Sequence, residues 1–242
     1  MIDLHSHILP GFDDGARNLD DSLAMAQTAV ADGITVMVAC PHLYPGLYDP
    51  TPEQIRAALA DLQNVLDERS VPLQLLPGSE VLVDERLPRR WRAGQVMSLG
   101  DRGAHVLVEF PVVAVPLCAE QVLFELQTMG LKPILGHPEK NGEIQRRPEV
   151  VATLVERGCL VQLDADSLGR EVIRRVRQCA HRLLAEGLVH IIATDAHSPS
   201  DRAPVLSRAL RHARRIVGDQ AEAMVRDTPA SILGLEGPGG RG

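Results

Sequence analysis

Short apolar runs rich in Val, Ile and Leu recur along the chain, separated by stretches whose apolar residues keep a helical period. Residues 1–4 predict a first strand. Over 19–32, Leu23, Met25, Ala26, Ala29 and Val30 fall on one helical face, and Gly33 supplies a stop. Residues 34–39 form a β-branched run suited to a buried strand. Thr51, Pro52 and Gln54 make a capping box with proline at the first helical position, opening a helix that runs to about residue 68. Further strands are expected at 72–76, 105–110, 132–135, 159–163 and 189–193. Further helices are expected at 118–129, 148–157, 168–186, 202–217 and 220–226. The segment with Arg86, Arg89, Arg90 and Arg92 reads as a solvated charged face.

Strand and helix therefore alternate about seven times, the pattern of parallel βα units in one barrel or one doubly wound sheet. No shift of composition marks a second domain, so 1–236 is expected to be one unit and the Gly-rich 237–242 a disordered tail.

Composition narrows the classes. A chain of 242 residues can bury a large single core, and with 2% aromatics that core must rest on Leu, Val, Ile and Ala. A net charge of -7 argues against a nucleic-acid binder held by phosphate contacts. Cys40, Cys118, Cys159 and Cys179 form no CxxC pair, and their scatter suits free thiols in a reducing cytoplasm. The first residues have neither the basic region nor the apolar region of a signal peptide, and no apolar run reaches membrane-spanning length.

The polar residues at the strand ends decide between the two architectures. His5 and His7, His42, Glu80, Glu109, His137, and Asp195 with His197 follow strands one, two, three, four, five and seven. In a barrel those ends converge on one mouth, where active sites sit. His5-Ser6-His7 alone is weak evidence for a metal, and Asp195-Ala196-His197 repeats its spacing. Glu109 interrupts a Val-Leu-Val-Phe run, and a lone buried carboxylate is costly unless something positive offsets it. His105, His181, His190 and His212 lie elsewhere and read as surface or satisfied core residues.

The ordered motifs HxH, PH, GSE, VEFP, GHPE and DAH resemble the PHP (polymerase and histidinol phosphatase) superfamily. Within it, the block from Asp3 to Gly15 is similar to the bacterial tyrosine-protein phosphatases of the CpsB/YwqE type, and the resemblance runs from Met1 to about Leu235. It implies a distorted (β/α)7 TIM-like barrel of PHP type with three divalent metal ions, manganese first, with iron, zinc or magnesium as alternatives. Carried over residue by residue, His5, His7, Glu80 and Asp195 would hold the first ion. Glu80 would bridge to a second, also held by Glu109 and His137. Asp14, His42 and His197 would hold the third. The implied reaction is hydrolysis of a phosphomonoester by in-line attack of a metal-bridging hydroxide.

The resemblance further implies a phosphotyrosine protein as partner, a tyrosine kinase that controls capsule or exopolysaccharide assembly. Its phosphate clamp is His-Pro-Glu-Arg after the fifth strand; here the motif is His137-Pro138-Glu139-Lys140, which keeps the charge but loses the bidentate fork. Arg202 matches a second phosphate-binding arginine. The alternatives are a small-molecule phosphatase of the histidinol-phosphate type and a non-catalytic metal-binding or kinase-docking module. No cysteine has an arginine six residues later, so a Cys-x5-Arg nucleophile loop is unsupported.

Overall fold

The computed structural model describes residues 1–169 and 172–235, so the expected disordered tail lies outside the described residues. The strands are β1 (Ile2–Ser6), β2 (Val36–Ala39), β3 (His42–Leu43), β4 (Gln74–Pro77), β5 (Glu80–Leu82), β6 (His105–Glu109), β7 (Lys132–Gly136), β8 (Leu160–Asp164) and β9 (Ile191–Ala193). They pair in parallel in the orders β1-β2-β4 and β3-β5-β6-β7-β8-β9. β2 and β3 are halves of one strand broken at Cys40-Pro41, where Pro41 has no N–H to donate. β4 and β5 are halves of another, broken at Gly78-Ser79. A Cβ on Gly78 would lie 2.9 Å from Val38 Cγ1, so only glycine lets the chain pass this close. The nine described strands thus run on seven lines.

The ring closes between β1 and the end of β9. Asp195 N–H donates to the His5 carbonyl (2.9 Å), and His7 N–H donates to the Ala196 carbonyl (2.8 Å). At the opposite end Ile2 and Ile192 N–H donate to the Val225 and Met224 carbonyls, so residues 224–225 are wedged between the two strands. Closure at one end and a wedge at the other distort the seven-line barrel, as the family resemblance implies.

The helices are α1 (Leu19–Ala31), α2 (Pro52–Glu68), α3 (Leu87–Arg92), α4 (Ala119–Thr128), α5 (Gly142–Arg146), α6 (Glu149–Glu156), α7 (Arg174–Ala185), α8 (Ser207–Val217), α9 (Gln220–Ala223) and α10 (Asp227–Leu233). The capping box of α2 forms as expected. The single helix expected over 168–186 is instead a 3-10 turn, Asp166–Leu168, followed by α7. α8 starts later than expected because Asp32, at the end of α1, accepts from the N–H groups of Leu206 and Ser207 and fixes the start there. The arginine segment around 86–92 forms α3, which buries Leu87 and Pro88 and leaves most of its arginines outside. α10 was not anticipated; its Ile232 and Leu233 join Leu4, Val36, Val38, Leu107, Ile134 and Ile191 in a core cluster inside the ring. A larger cluster fills the layer between strands and helices. All four cysteines are free, and no described helix is long and apolar enough to cross a membrane.

Candidate functional site

β1 does not run straight into its histidines. Asp3 pairs with Met37 but Ser6 pairs with Ala39, so three steps on β1 face two on β2. Such a bulge re-aims side chains, and here it accompanies the turn of His5 and His7 into the mouth. Their Nε2 atoms lie 3.1 Å apart, and both residues are buried. His5 Nε2 is 3.2 Å from Glu80 Oε2 and 3.5 Å from Asp195 Oδ1; His7 Nε2 is 3.4 and 3.3 Å from the same atoms. Two imidazoles and two carboxylates therefore aim one atom each at a shared point.

Glu80 also serves a second group, His137 through its other oxygen and His42 through the same one. His137 Nε2 is 2.7 Å from Glu80 Oε1 and 3.9 Å from Glu109 Oε2. His42 Nδ1 lies 2.9 Å from Glu80 Oε2 and 3.2 Å from Glu109 Oε1. On its other side His42 Nε2 is 3.4 Å from Asp14 Oδ1, which is 3.5 Å from His197 Nε2. All nine candidate ligands thus meet at one mouth. The structure differs from the implied sets in two respects: His42 rather than His137 clusters with Glu80 and Glu109, His137 standing 3.9 Å from Glu109, and His7 joins Asp14, His42 and His197. A neutral imidazole has one lone pair, so His42 can ligate on one side only.

The donor set fits divalent cations. His42 Nδ1 and Glu80 Oε2 are buried without a hydrogen-bond partner although they adjoin each other. Burial would raise the Glu80 and Asp195 carboxyls, yet neighbouring cationic groups hold both well below the ordinary range. Burial would lower His137, but the Glu80 charge and hydrogen bond raise it to about 9. The cluster thus draws in positive charge, which a divalent ion would supply while displacing protons. Imidazole nitrogen with carboxylate oxygen suits manganese, iron, zinc or magnesium. His137 and Asp195 also hold left-handed backbone, with φ of 31° and 50°, a strain that recurs at functional sites.

The neighbours of these groups were not read from the sequence. Asp13 Oδ2 accepts from His7 Nδ1 (2.7 Å) and from the His42 backbone N–H (2.9 Å), so it leaves His7 Nε2 for the mouth. The Gln162 amide is 2.9 Å from His5 Nδ1, and its Oε1 has no partner. Turning that oxygen onto Nδ1–H satisfies both groups and frees His5 Nε2 as a ligand. Asp164 ends β8, the one strand line for which the sequence offered no site residue, and it pairs with Lys140. Lys140 Nζ and Arg202 Nη2 both reach Asp195 Oδ2, at 2.8 and 2.6 Å. The two expected phosphate-binding cations therefore stand together at the rim. Cys40 is buried and its thiol is pushed well up, mainly by burial, which removes the thiolate a cysteine nucleophile needs. His105, His181, His190 and His212 lie outside these clusters.

Residues 1–234 match the family described as capsular polysaccharide synthesis, CpsB/CapC. Tyrosine-protein phosphatase YwqE of Bacillus subtilis is 35% identical over 96% of this chain and 91% of its own length. Tyrosine-protein phosphatase CpsB of Streptococcus agalactiae is 25% identical over 96% of this chain and 98% of its own. Among solved structures, those of YwqE from Bacillus subtilis and CpsB from Streptococcus pneumoniae, described as metal-dependent tyrosine phosphatases, include a chain that superimposes with a TM-score of 0.93. It is 34% identical, covering 98% of this chain and 95% of that one.

Proposed function

This chain belongs to the CpsB/CapC family of capsular polysaccharide synthesis, and from that premise we propose that it is a metal-dependent protein-tyrosine phosphatase. The observation that carries the reading is the convergence of His5, His7, Glu80 and Asp195 on one point, with Lys140 and Arg202 beside it. In this reading His5, His7, Glu80 and Asp195 hold a first divalent ion, Glu80, Glu109 and His137 a second, and Asp14, His42 and His197 a third, with manganese the first choice. When bound, such ions lower the pKa of water and stabilise the attacking and leaving oxygens of a phosphoryl transfer.

The chain's own groups do the rest. Lys140 and Arg202 bind the phosphoryl oxygens; they are held ready on Asp195 Oδ2 and can turn to an incoming anion. Asp164 keeps Lys140 charged: burial would lower its pKa, but the Asp164 and Asp195 carboxylates raise it. Asp13 and Gln162 fix the tautomers of His7 and His5. A tyrosyl leaving group has a pKa of about 10 and needs less protonation on departure than an alkoxide. The protein substrate is a tyrosine kinase of capsule or exopolysaccharide assembly, and the phosphatase works in the cytoplasm.

Metal removal tests this. Chelation should abolish turnover of a phosphotyrosine peptide and Mn²⁺ should restore it. Preference for histidinol phosphate over the peptide would replace the tyrosine reading with the small-molecule one. Hydrolysis of neither, with metal bound, would leave only a binding role.

A further inference from the structure

Tyr44 touches two candidate ligands at once. Its hydroxyl donates to Glu109 Oε1 at 2.5 Å, and its ring stacks on His42 with centroids 4.7 Å apart and planes at 26°. The ring is itself held from behind. Tyr44 and Tyr48 form an antiparallel bridge. Tyr44 N–H donates to the Tyr48 carbonyl at 2.6 Å, and Tyr48 N–H donates back at 2.9 Å. Tyr48, the chain's other tyrosine, also stacks on His42, at 5.9 Å and 16°. Arg90 Nη2 reaches Asp49 Oδ1 at 2.7 Å and ties down the residue after the bridge. The turn after β3 is thus a built support rather than a loose loop, and the Tyr44 hydroxyl is aimed from it at Glu109.

We infer that Tyr44 is a positioning residue for the metal centre, fixing the Glu109 carboxylate by its hydroxyl and the His42 ring by its face. This rests on the reading of Glu109 and His42 as metal ligands. A phenol bound to one carboxylate oxygen leaves the other to face His137. A ring stacked on an imidazole limits rotation about its outer bonds. Both effects lower the freedom that the two ligands lose when an ion binds. Neighbours of ligands that act in this way are worth about 10–100-fold in metal affinity.

The test is retention of Mn²⁺ by the full chain, measured by elemental analysis after dialysis against graded chelator. Tyr44→Phe keeps the ring and removes the hydrogen bond; it should release one ion at about 10–100-fold lower chelator strength than the parent. Tyr44→Leu removes the ring too and should in addition loosen the ion that His42 would hold. Thermal unfolding of the metal-free protein should be nearly the same for Tyr44→Phe as for the parent, while the gain in Tm on adding Mn²⁺ should shrink. Glu109→Gln sets the reference and should cost the same ion. If Glu109→Gln loses an ion but Tyr44→Phe retains the parent curve, the positioning role is overturned alone. If Glu109→Gln retains every ion, the ligand reading of Glu109 falls and takes the role of Tyr44 with it. If Tyr44→Phe unfolds early even without metal, Tyr44 is structural and the inference fails.

Discussion

The two oxygens of Asp195 have different neighbours: Oδ1 faces His5 and His7, and Oδ2 holds Lys140 and Arg202. One carboxylate thus joins the metal cluster to the phosphate-binding rim. Lys140→Ala would remove a cation from the rim and leave Asp164 buried without it, so kcat/KM on a phosphotyrosine peptide should fall about 100- to 1,000-fold. Lys140→Arg should stay within about tenfold, since the charge is kept. Parent-like kinetics for Lys140→Ala would remove it from the site. At this scale the sequence told much, because ligand residues after strands are visible as motifs. Only the family resemblance picked Asp14 over Asp13; the residues alone show two acids in one turn, of which one orients His7 and the other faces His42. Nor could the sequence show Asp164 or Gln162, whose roles depend on which residues of nearby strand lines face them at the mouth. The Tyr44–Glu109 bond, spanning 65 positions, left no local trace at all.

Among the elements, the loop from Pro10 to Gly15 is the most constrained. It folds back so that Ala16 N–H donates to the His7 carbonyl at 3.0 Å, and a Cβ on Gly15 would sit 2.2 Å from that oxygen. Gly15→Ala must push the loop away and carry Asp13 and Asp14 with it. We expect a loss of activity of about 100-fold or more with the far-ultraviolet circular dichroism unchanged, because no strand or helix contains Gly15. Full activity in Gly15→Ala would mean that the loop's acids do not matter. Elements with strong local signals, such as the capping box of α2, were legible. The breaks between β2 and β3 and between β4 and β5 were not, since each apolar run simply read as ending early. α10 was also missed, because its seven residues are short and their burial depends on the open end of the ring.

For the whole molecule, closure is the costly step, and Asp3 is its fastener. Its buried carboxylate accepts from Thr194 N–H (2.9 Å), Thr194 Oγ1 (2.5 Å) and His5 N–H (3.3 Å). Asp3→Ala should destabilise the metal-free protein by about 3 kcal/mol, as expected when hydrogen bonds to a charged group are lost and a buried N–H is orphaned. A shift in denaturant midpoint measures this; no shift would mean that the ring is closed by its backbone alone. The polar residues at the strand ends foretold a ring, but not that residues 224–225, ahead of α10, would be the wedge that holds it open at one end.

The meeting of His5 and His7 with Asp195 also sets an order of events in time. Both histidines leave the ribosome well before Asp195, with strands β2 to β9 made in between. A nascent or truncated chain that ends before Asp195 therefore lacks a corner of the four-residue cluster, however well its early strands have formed. Since an ion bound there would join β1 to the end of β9, its capture would favour molecules in which the ring is closed over those cut short before Asp195.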